Sequence, residues 1–129
     1  MKLSAGLEFL EKTPLENLIL FNCRNSSLKG LLALNITSLD IDRCKNIDNE
    51  ELIYKLHSLK VLKLINSIVV ENTQKFERLE NLETLVVTGT SYFIDGNLNG
   101  MKNKLKNFSF DDKKHYNIKH DEFKKSYLL

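Results

Sequence analysis

One apolar pattern recurs five times along this chain at a nearly constant step. Its copies are LENLILFNC, ITSLDIDRC, LKVLKLINS, LETLVVTGT and LKNFSFDDK, which begin at Leu15, Ile36, Leu59, Leu82 and Leu105. The starts are separated by 21, 23, 23 and 23 residues. A repeat of this length constrains the fold strongly, because one short unit cannot bury its own apolar side and must stack on its neighbours.

Each copy keeps apolar residues at its first, fourth and sixth positions. The fourth-position residues are Leu18, Leu39, Leu62, Leu85 and Phe108, and the sixth-position residues are Leu20, Ile41, Leu64, Val87 and Phe110. A further apolar column follows the ninth position, at Ile47, Val70, Phe93 and Tyr116. The alternation over positions four to six predicts one strand per copy with one buried side. Stacked copies would align these strands in a parallel sheet.

The segments between the strands show helical spacing. In NEELIYKLHSL the apolar residues on one face are Leu52, Ile53 and Leu56, and Asp48 or Asn49 precedes them as an N-cap. In TQKFERLENL the equivalent residues are Phe76 and Leu79. We therefore expect helices or turns on the side of each copy away from the sheet.

The N-terminal residues fit the same scheme. Phe9 lies six residues before Leu15, and Ile53 and Phe76 lie six residues before the starts of their own next copies. The matching offset predicts that residues 1–14 are the helical half of an incomplete first copy, and hence an N-terminal cap.

The recurring pattern resembles the leucine-rich repeat family, whose consensus is L-x-x-L-x-L-x-x-N/C-x-L, over about residues 15–116. The resemblance implies an α/β fold: a right-handed solenoid with a parallel sheet on its concave face and helices or turns on its convex face. It also implies one domain over 1–129, with a cap at 1–14, five repeats at 15–116, and a C-terminal cap or tail at 117–129. The second copy, with CKNIDNEELIYKL, is similar to the cysteine-containing subclass found in substrate-recognition subunits of ubiquitin ligases.

The ninth position and the C-terminal tail each leave two interpretations. The ninth column reads Cys23, Cys44, Ser67, Thr90 and Lys113, in which the small residues would bond the backbone of adjacent copies. The two cysteines fit buried reduced thiols, with a disulfide or redox switch as the alternative. The tail would cover the last copy with Phe123, Tyr127 and Leu128, or else is a frayed terminus.

The outward strand positions form the candidate binding surface. Apolar residues stand there where solvent is expected, with charges among them: the set is Ile19, Phe21, Asp40, Asp42, Arg43, Val61, Lys63, Ile65 and Val86. Apolar anchors rimmed by charge are typical of protein-binding surfaces. The alternative is that β-branched residues simply favour strands on a half-exposed sheet.

Several other functions find little support. The net charge of +2 is too small to indicate a nucleic-acid partner, and no stretch approaches the ~20 apolar residues of a membrane span. The chain has no Gly-rich phosphate loop and no ordered nucleophile–His pattern, so we expect neither an enzyme nor a cofactor. The polar cluster at 111–122, which includes His115 and His120, fits a solvated segment, with a cation site as the alternative.

These observations predict a non-catalytic protein–protein interaction module that binds its partner through the concave sheet face. The alternative is a structural subunit or adaptor of a larger assembly, including the ubiquitin-ligase type, held through its ends or convex side. Two cysteines and no signal-peptide pattern predict an intracellular protein, with the cytoplasm first and the nucleus or an organelle matrix as alternatives.

Overall fold

The computed structural model describes residues 3–101 and 104–122. Its strands are β1 (Asn17–Phe21), β2 (Arg24–Ser27), β3 (Ser38–Asp42), β4 (Lys45–Asp48), β5 (Val61–Ile65), β6 (Thr84–Thr88) and β7 (Asn107–Phe110). Short 3₁₀ helices lie between strands, at Glu8–Leu10, Leu31–Ala33, Glu50–Lys55, Thr73–Phe76 and Asn99–Met101. The chain therefore mixes strand and helix, as the predicted α/β class requires, and the strands form the larger part.

Five strands form one parallel sheet in the order β1-β3-β5-β6-β7, one from each copy of the repeat. The register pairs each residue with its equivalent in the next copy, so that Leu39 lies between Leu18 and Leu62. Leu85 and Phe108 continue the same row. The strand predicted in each copy is present, and the predicted parallel alignment of these five strands is confirmed.

The inner side of this sheet forms the core. At the fourth position, Leu39, Leu62 and Leu85 are fully buried, whereas Leu18 at the start of the sheet is only half-buried. At the sixth position every residue of the column is buried. Burying an aliphatic side chain of this size contributes about 1.5–3 kcal/mol, so these two rows supply much of the stability of the sheet.

A second, smaller sheet was not predicted. β2 and β4 pair in parallel, with Arg24 beside Lys45 and Ser26 beside Ile47. Neither segment alternates apolar and polar residues, and they pair because the main strands just before them already lie side by side. Leu3 lies along the outer edge of β2, since the Ser27 N–H donates to Leu3 O at 3.0 Å and the Leu3 N–H donates to Ser26 Oγ at 2.8 Å.

The eighth position of the repeat ends four of the five main strands with a left-handed turn. The φ angles there are 56° for Asn22, 54° for Arg43, 48° for Asn66 and 68° for Gly89. Asn and Gly tolerate this conformation better than other residues. The eighth position is thus a turn, and it is not part of the extended strand surface.

The helical segments are shorter and tighter than the apolar spacing suggested. Glu50–Lys55 is a 3₁₀ helix that buries Ile53 fully. Asn49 occupies the predicted N-cap position, but its side chain makes no capping bond to the helix. Instead its Nδ2 donates to Ser27 Oγ at 2.7 Å, so the residue ties this turn to the neighbouring copy.

Phe9 does not take the buried position that Ile53 and Phe76 have at the same offset in their own copies. Phe9 is 68% exposed, whereas Leu7 is fully buried. The reason is local: Gly6 is left-handed with φ 88°, and the Leu7 N–H donates to Lys29 O at 2.7 Å, which turns Leu7 into the core. Gly30 precedes Leu31 in the same way one copy later, with φ 91°.

The ninth column bonds neighbouring copies as expected, with one correction. The Cys23 N–H donates to Cys44 Sγ at 3.4 Å, and the Ser67 N–H donates to Ser91 Oγ at 2.9 Å. Ser91 is fully buried, while Thr90, the residue predicted for this column, is exposed. A turn closed by the Ser91 N–H on Thr88 O at 3.2 Å adds one residue here and shifts the column.

Both cysteines are free and buried, which agrees with the reduced-thiol interpretation. At the other end of the chain, the tail residues Phe123, Tyr127 and Leu128 lie outside the described residues.

Replacing Gly89 with alanine should destabilise the protein by about 1–3 kcal/mol. The new Cβ would collide with Asn66 Oδ1, and the left-handed φ would be strained. Urea unfolding followed by circular dichroism measures the loss. Gly100→Ala is the control, because its Cβ would meet only Thr73 Oγ1 at 3.1 Å. Equal stability of the two variants would contradict the assigned turn.

Ser91→Ala should cost about 1–3 kcal/mol in the free energy of unfolding, because the half-buried Ser67 N–H loses its acceptor, the hydroxyl of the buried Ser91. Thr90→Ala, the neighbouring control, should change it by less than about 0.5 kcal/mol. The same urea titration compares them, and a larger effect at Thr90 would show that the register shift is misplaced.

Candidate functional site

Eight of the nine predicted site residues lie on one face of the main sheet, the side opposite the core, which we call the outward face. The strand register sorts them into rows that run across the strands. One row is Ile19, Asp40, Lys63 and Val86; the next is Phe21, Asp42 and Ile65; Val61 lies in a third, which starts at Asn17. The structure therefore brings these eight residues together, since neighbouring strands lie about 4.8 Å apart.

The apolar members differ in exposure. Ile19 and Phe21, both on β1, are 66% and 55% exposed, whereas Ile65 and Val86 on the inner strands are half-buried. β1 is exposed because it is the first strand of the sheet and has a neighbour on one side only. The apolar part of the outward face is thus centred on β1.

The two aspartates of β3 lie between this apolar strand and β5. Asp40 Oδ1 and Asp42 Oδ1 are both buried, and neither has a hydrogen-bond partner within residues 3–101 and 104–122. Asp42 Oδ1 lies 3.9 Å from Arg43 Nε, which is an ion-pair distance and too long for a hydrogen bond. Both carboxylates therefore retain acceptor capacity toward the outward face.

Burial raises the pKa of Asp40 above its usual value, because desolvation disfavours the charged form. Lys63, its partner in register on β5, opposes this effect, and the charge of Asp42 adds to it. The direction of the shift shows that the loss of hydration outweighs the attraction to Lys63.

Arg43 is the ninth predicted residue and lies just past the end of β3. Its guanidinium carbon lies 5.8 Å from the centre of the Phe21 ring, within cation–π range. Its left-handed backbone costs an arginine roughly 1–2 kcal/mol, and the equivalent positions of neighbouring copies carry Asn or Gly. Arg43 thus borders the patch from the turn rather than from the strand.

One feature of this region was not predicted. Leu15 and Leu18, which should face the core, are only half-buried, while Leu105 and Phe108 at the opposite end of the sheet are 4% and 5% exposed. The core is therefore less covered at the β1 end. The columns of the repeat carry no signal for this difference, because it depends on which copy is first in the sheet.

A cleft at the strand ends includes one predicted residue, and it is lined by Asn22, Arg24, Arg43, Lys45, Asn66 and Thr90. Two other clefts lie away from the predicted residues. One is lined by Glu51, Tyr54, Lys75 and Arg78, beside the 3₁₀ helices. Burial raises the pKa of Tyr54. No serine, cysteine, histidine or second tyrosine accompanies it among these lining residues. The arrangement is that of a groove between neighbouring helical turns.

The histidines of the 111–122 segment make packing contacts. His115 Nε2 lies 2.7 Å from Phe93 O, and the His120 ring lies 5.3 Å from that of Phe110. Over the described part of the chain, no three His, Cys, Asp or Glu side chains are grouped to hold a metal ion.

Within the same described residues, no helix has the length and apolar character to cross a membrane. Searches against family models, curated proteins and solved structures find no match for this chain.

Asp40→Asn should stabilise the protein at pH 7, because it removes a carboxylate whose burial is unfavourable when charged. With its pKa raised in the folded state, Asp40 favours folding only when protonated, and that contribution is lost as the pH rises through the folded pKa. The advantage of the variant should therefore shrink toward about pH 3, where wild-type Asp40 is also neutral.

Urea unfolding at the two pH values measures this difference. Asp48→Asn, which changes an exposed carboxylate at the end of β4, is the matched control. A destabilised Asp40→Asn protein at pH 7 would show that the attraction to Lys63 outweighs desolvation.

Proposed function

We propose that this chain is a leucine-rich-repeat solenoid that acts as a non-catalytic protein interaction module. Its partner protein would bind the outward face, which is the concave face in such a solenoid. The observation that carries the proposal is the pair Ile19 and Phe21, large apolar side chains more than half exposed beside the carboxylates of β3.

The apolar residues supply the anchors. Apolar side chains that a partner desolvates contribute most of the affinity of a typical protein interface, and aromatic residues are enriched among them. Phe21 already contacts the Arg43 guanidinium on one side, which restrains the ring before any partner arrives. A restrained anchor loses less conformational entropy on binding.

The aspartates supply hydrogen-bond acceptors that would orient the partner. Asp40 Oδ1 and Asp42 Oδ1 are buried acceptors without a hydrogen-bond donor among the described residues. An unsatisfied buried acceptor costs about 1–3 kcal/mol, so a donor from a partner would recover that free energy. Lysine, arginine or backbone N–H groups of the partner fit these positions, and Lys63 offers a donor of its own to the same partner.

The sheet supplies rigidity. The inner strands β3, β5 and β6 of the main sheet are hydrogen-bonded on both sides, so the rows of side chains keep their spacing. Binding to such a surface requires little rearrangement, in contrast to binding by a loop.

The alternative, a subunit held through its ends in a larger assembly, gains support from one observation. Leu15 and Leu18 leave the β1 end of the core partly open. An assembly that covers this end would bury them as deeply as their equivalents in the later copies.

Affinity purification of the tagged protein from its own cells, followed by quantitative mass spectrometry, tests the proposal. Phe21→Ser and Ile65→Ser should each lower recovery of the partner tenfold or more, which corresponds to about 1.4 kcal/mol. Ile94→Ser is the matched control, since Ile94 is 57% exposed but does not lie on a main strand.

Recovery that falls with Ile94→Ser and not with the other two variants would contradict the outward face as the binding surface. A partner whose recovery is indifferent to all three variants, and is lost instead on Leu18→Ser, would favour attachment through the β1 end.

A further inference from the structure

The free edge of β1 is a hydrogen-bonding surface that the proposed function does not use. The Asn22 N–H donates to Asp42 O at 2.9 Å, and Glu16 O accepts from the Ser38 N–H at 3.2 Å. Peptide groups alternate in direction along a strand, so those of the even-numbered residues face β3. The N–H and C=O groups of Asn17, Ile19 and Phe21 therefore point to the open side, where no described strand pairs with β1.

This edge lacks the usual protection against pairing. Edge strands are commonly blunted by charged residues, proline or a bulge. The segment from Asn17 to Asn22 contains none of these, since it reads NLILFN. The segment is rich in residues that favour strands. The Ile19 side chain is exposed on the outward face, and the Leu18 side chain is half-buried on the inner side.

We infer that two copies of this chain associate through their β1 edges, paired antiparallel about a two-fold axis that passes beside Ile19. The two five-stranded sheets would then form one continuous sheet.

The edge is complementary to itself, which is why a second copy is the occupant. In this register Ile19 lies opposite Ile19 of the second copy, and Asn17 lies opposite its Phe21. These are the residues whose peptide groups point outward, so each donor meets an acceptor. A two-fold axis requires such self-pairing of one patch, and an uncharged strand meets no repulsion from its own copy.

The same register covers the open end of the core. On the inner side, Leu18 lies opposite Leu20 of the second copy, at the shorter spacing of a non-hydrogen-bonded pair. The half-buried Leu18 would then be enclosed in the way that Leu39 is enclosed inside one chain. Both the backbone and the apolar side chains of β1 thus gain partners from one contact.

Sedimentation velocity over a range of protein concentrations, with the full chain, tests the inference through a charge exchange. Ile19→Lys and Ile19→Glu each place like charges opposite one another on the axis, so each variant alone should be monomeric. A mixture of the two should restore the dimer, because the introduced lysine of one copy would then meet the introduced glutamate of the other. Wild-type protein and Ile94→Lys, an exposed control away from the edge, should both be dimeric.

Three results would overturn the inference: a monomeric wild type, a dimer that persists in both single variants, or a failure of the mixed variants to pair while each remains folded by circular dichroism. If the wild-type protein is monomeric and a strand of a different protein pairs with β1, the edge is a binding site for that protein and not for a second copy.

The inference stands apart from the proposed function. Ile65→Ser, on the inner strand β5, should lose the partner protein and stay dimeric, so each claim can fail without the other.

Discussion

The in-register parallel pairing of the five main strands is the constraint on which the rest of the structure depends. Because Leu39 lies beside Leu62, and Leu62 beside Leu85, the apolar rows of all copies meet on one side of the sheet. A slip of one residue would turn every such row outward. The apolar columns shared by all copies prevent this slip, since only one register satisfies all the copies together. The same pairing sets the outward rows, so the candidate site is a direct consequence of the core.

The strand ends reinforce that register. In the first four copies the left-handed eighth position ends the main strand, and a small residue just after it bonds the preceding copy, as Cys44 and Ser91 do. Arg43 is the exception among these turns, because a long cationic side chain occupies a conformation that suits Asn or Gly better. The Arg43 guanidinium lies within cation–π range of the Phe21 ring, at the border of the apolar patch.

Much of this arrangement could be predicted from the sequence, because the alternation of apolar residues defines each strand and the constant step defines the pairing. The errors arose where backbone conformation overrides spacing. Phe9 shares the offset of the buried Ile53 and Phe76 but is exposed, because the left-handed Gly6 places Leu7 in the core instead. The small sheet of β2 and β4 has no apolar pattern of its own and exists through its neighbours. The members of the outward face were predictable, whereas the unpaired oxygens of Asp40 and Asp42 depend on side-chain positions that no repeat specifies.

Site-specific photo-crosslinking in the cells of origin would test the binding surface most directly. A photoreactive phenylalanine analogue at position 65 lies on the outward face of β5 and away from the β1 edge, and one at position 94 lies off the main sheet. The account predicts a discrete crosslinked partner protein from position 65 and none from position 94. Crosslinking from position 94 alone would contradict it and would move the binding surface to the cleft that Ile94 lines beside the 3₁₀ helix at Glu50–Lys55.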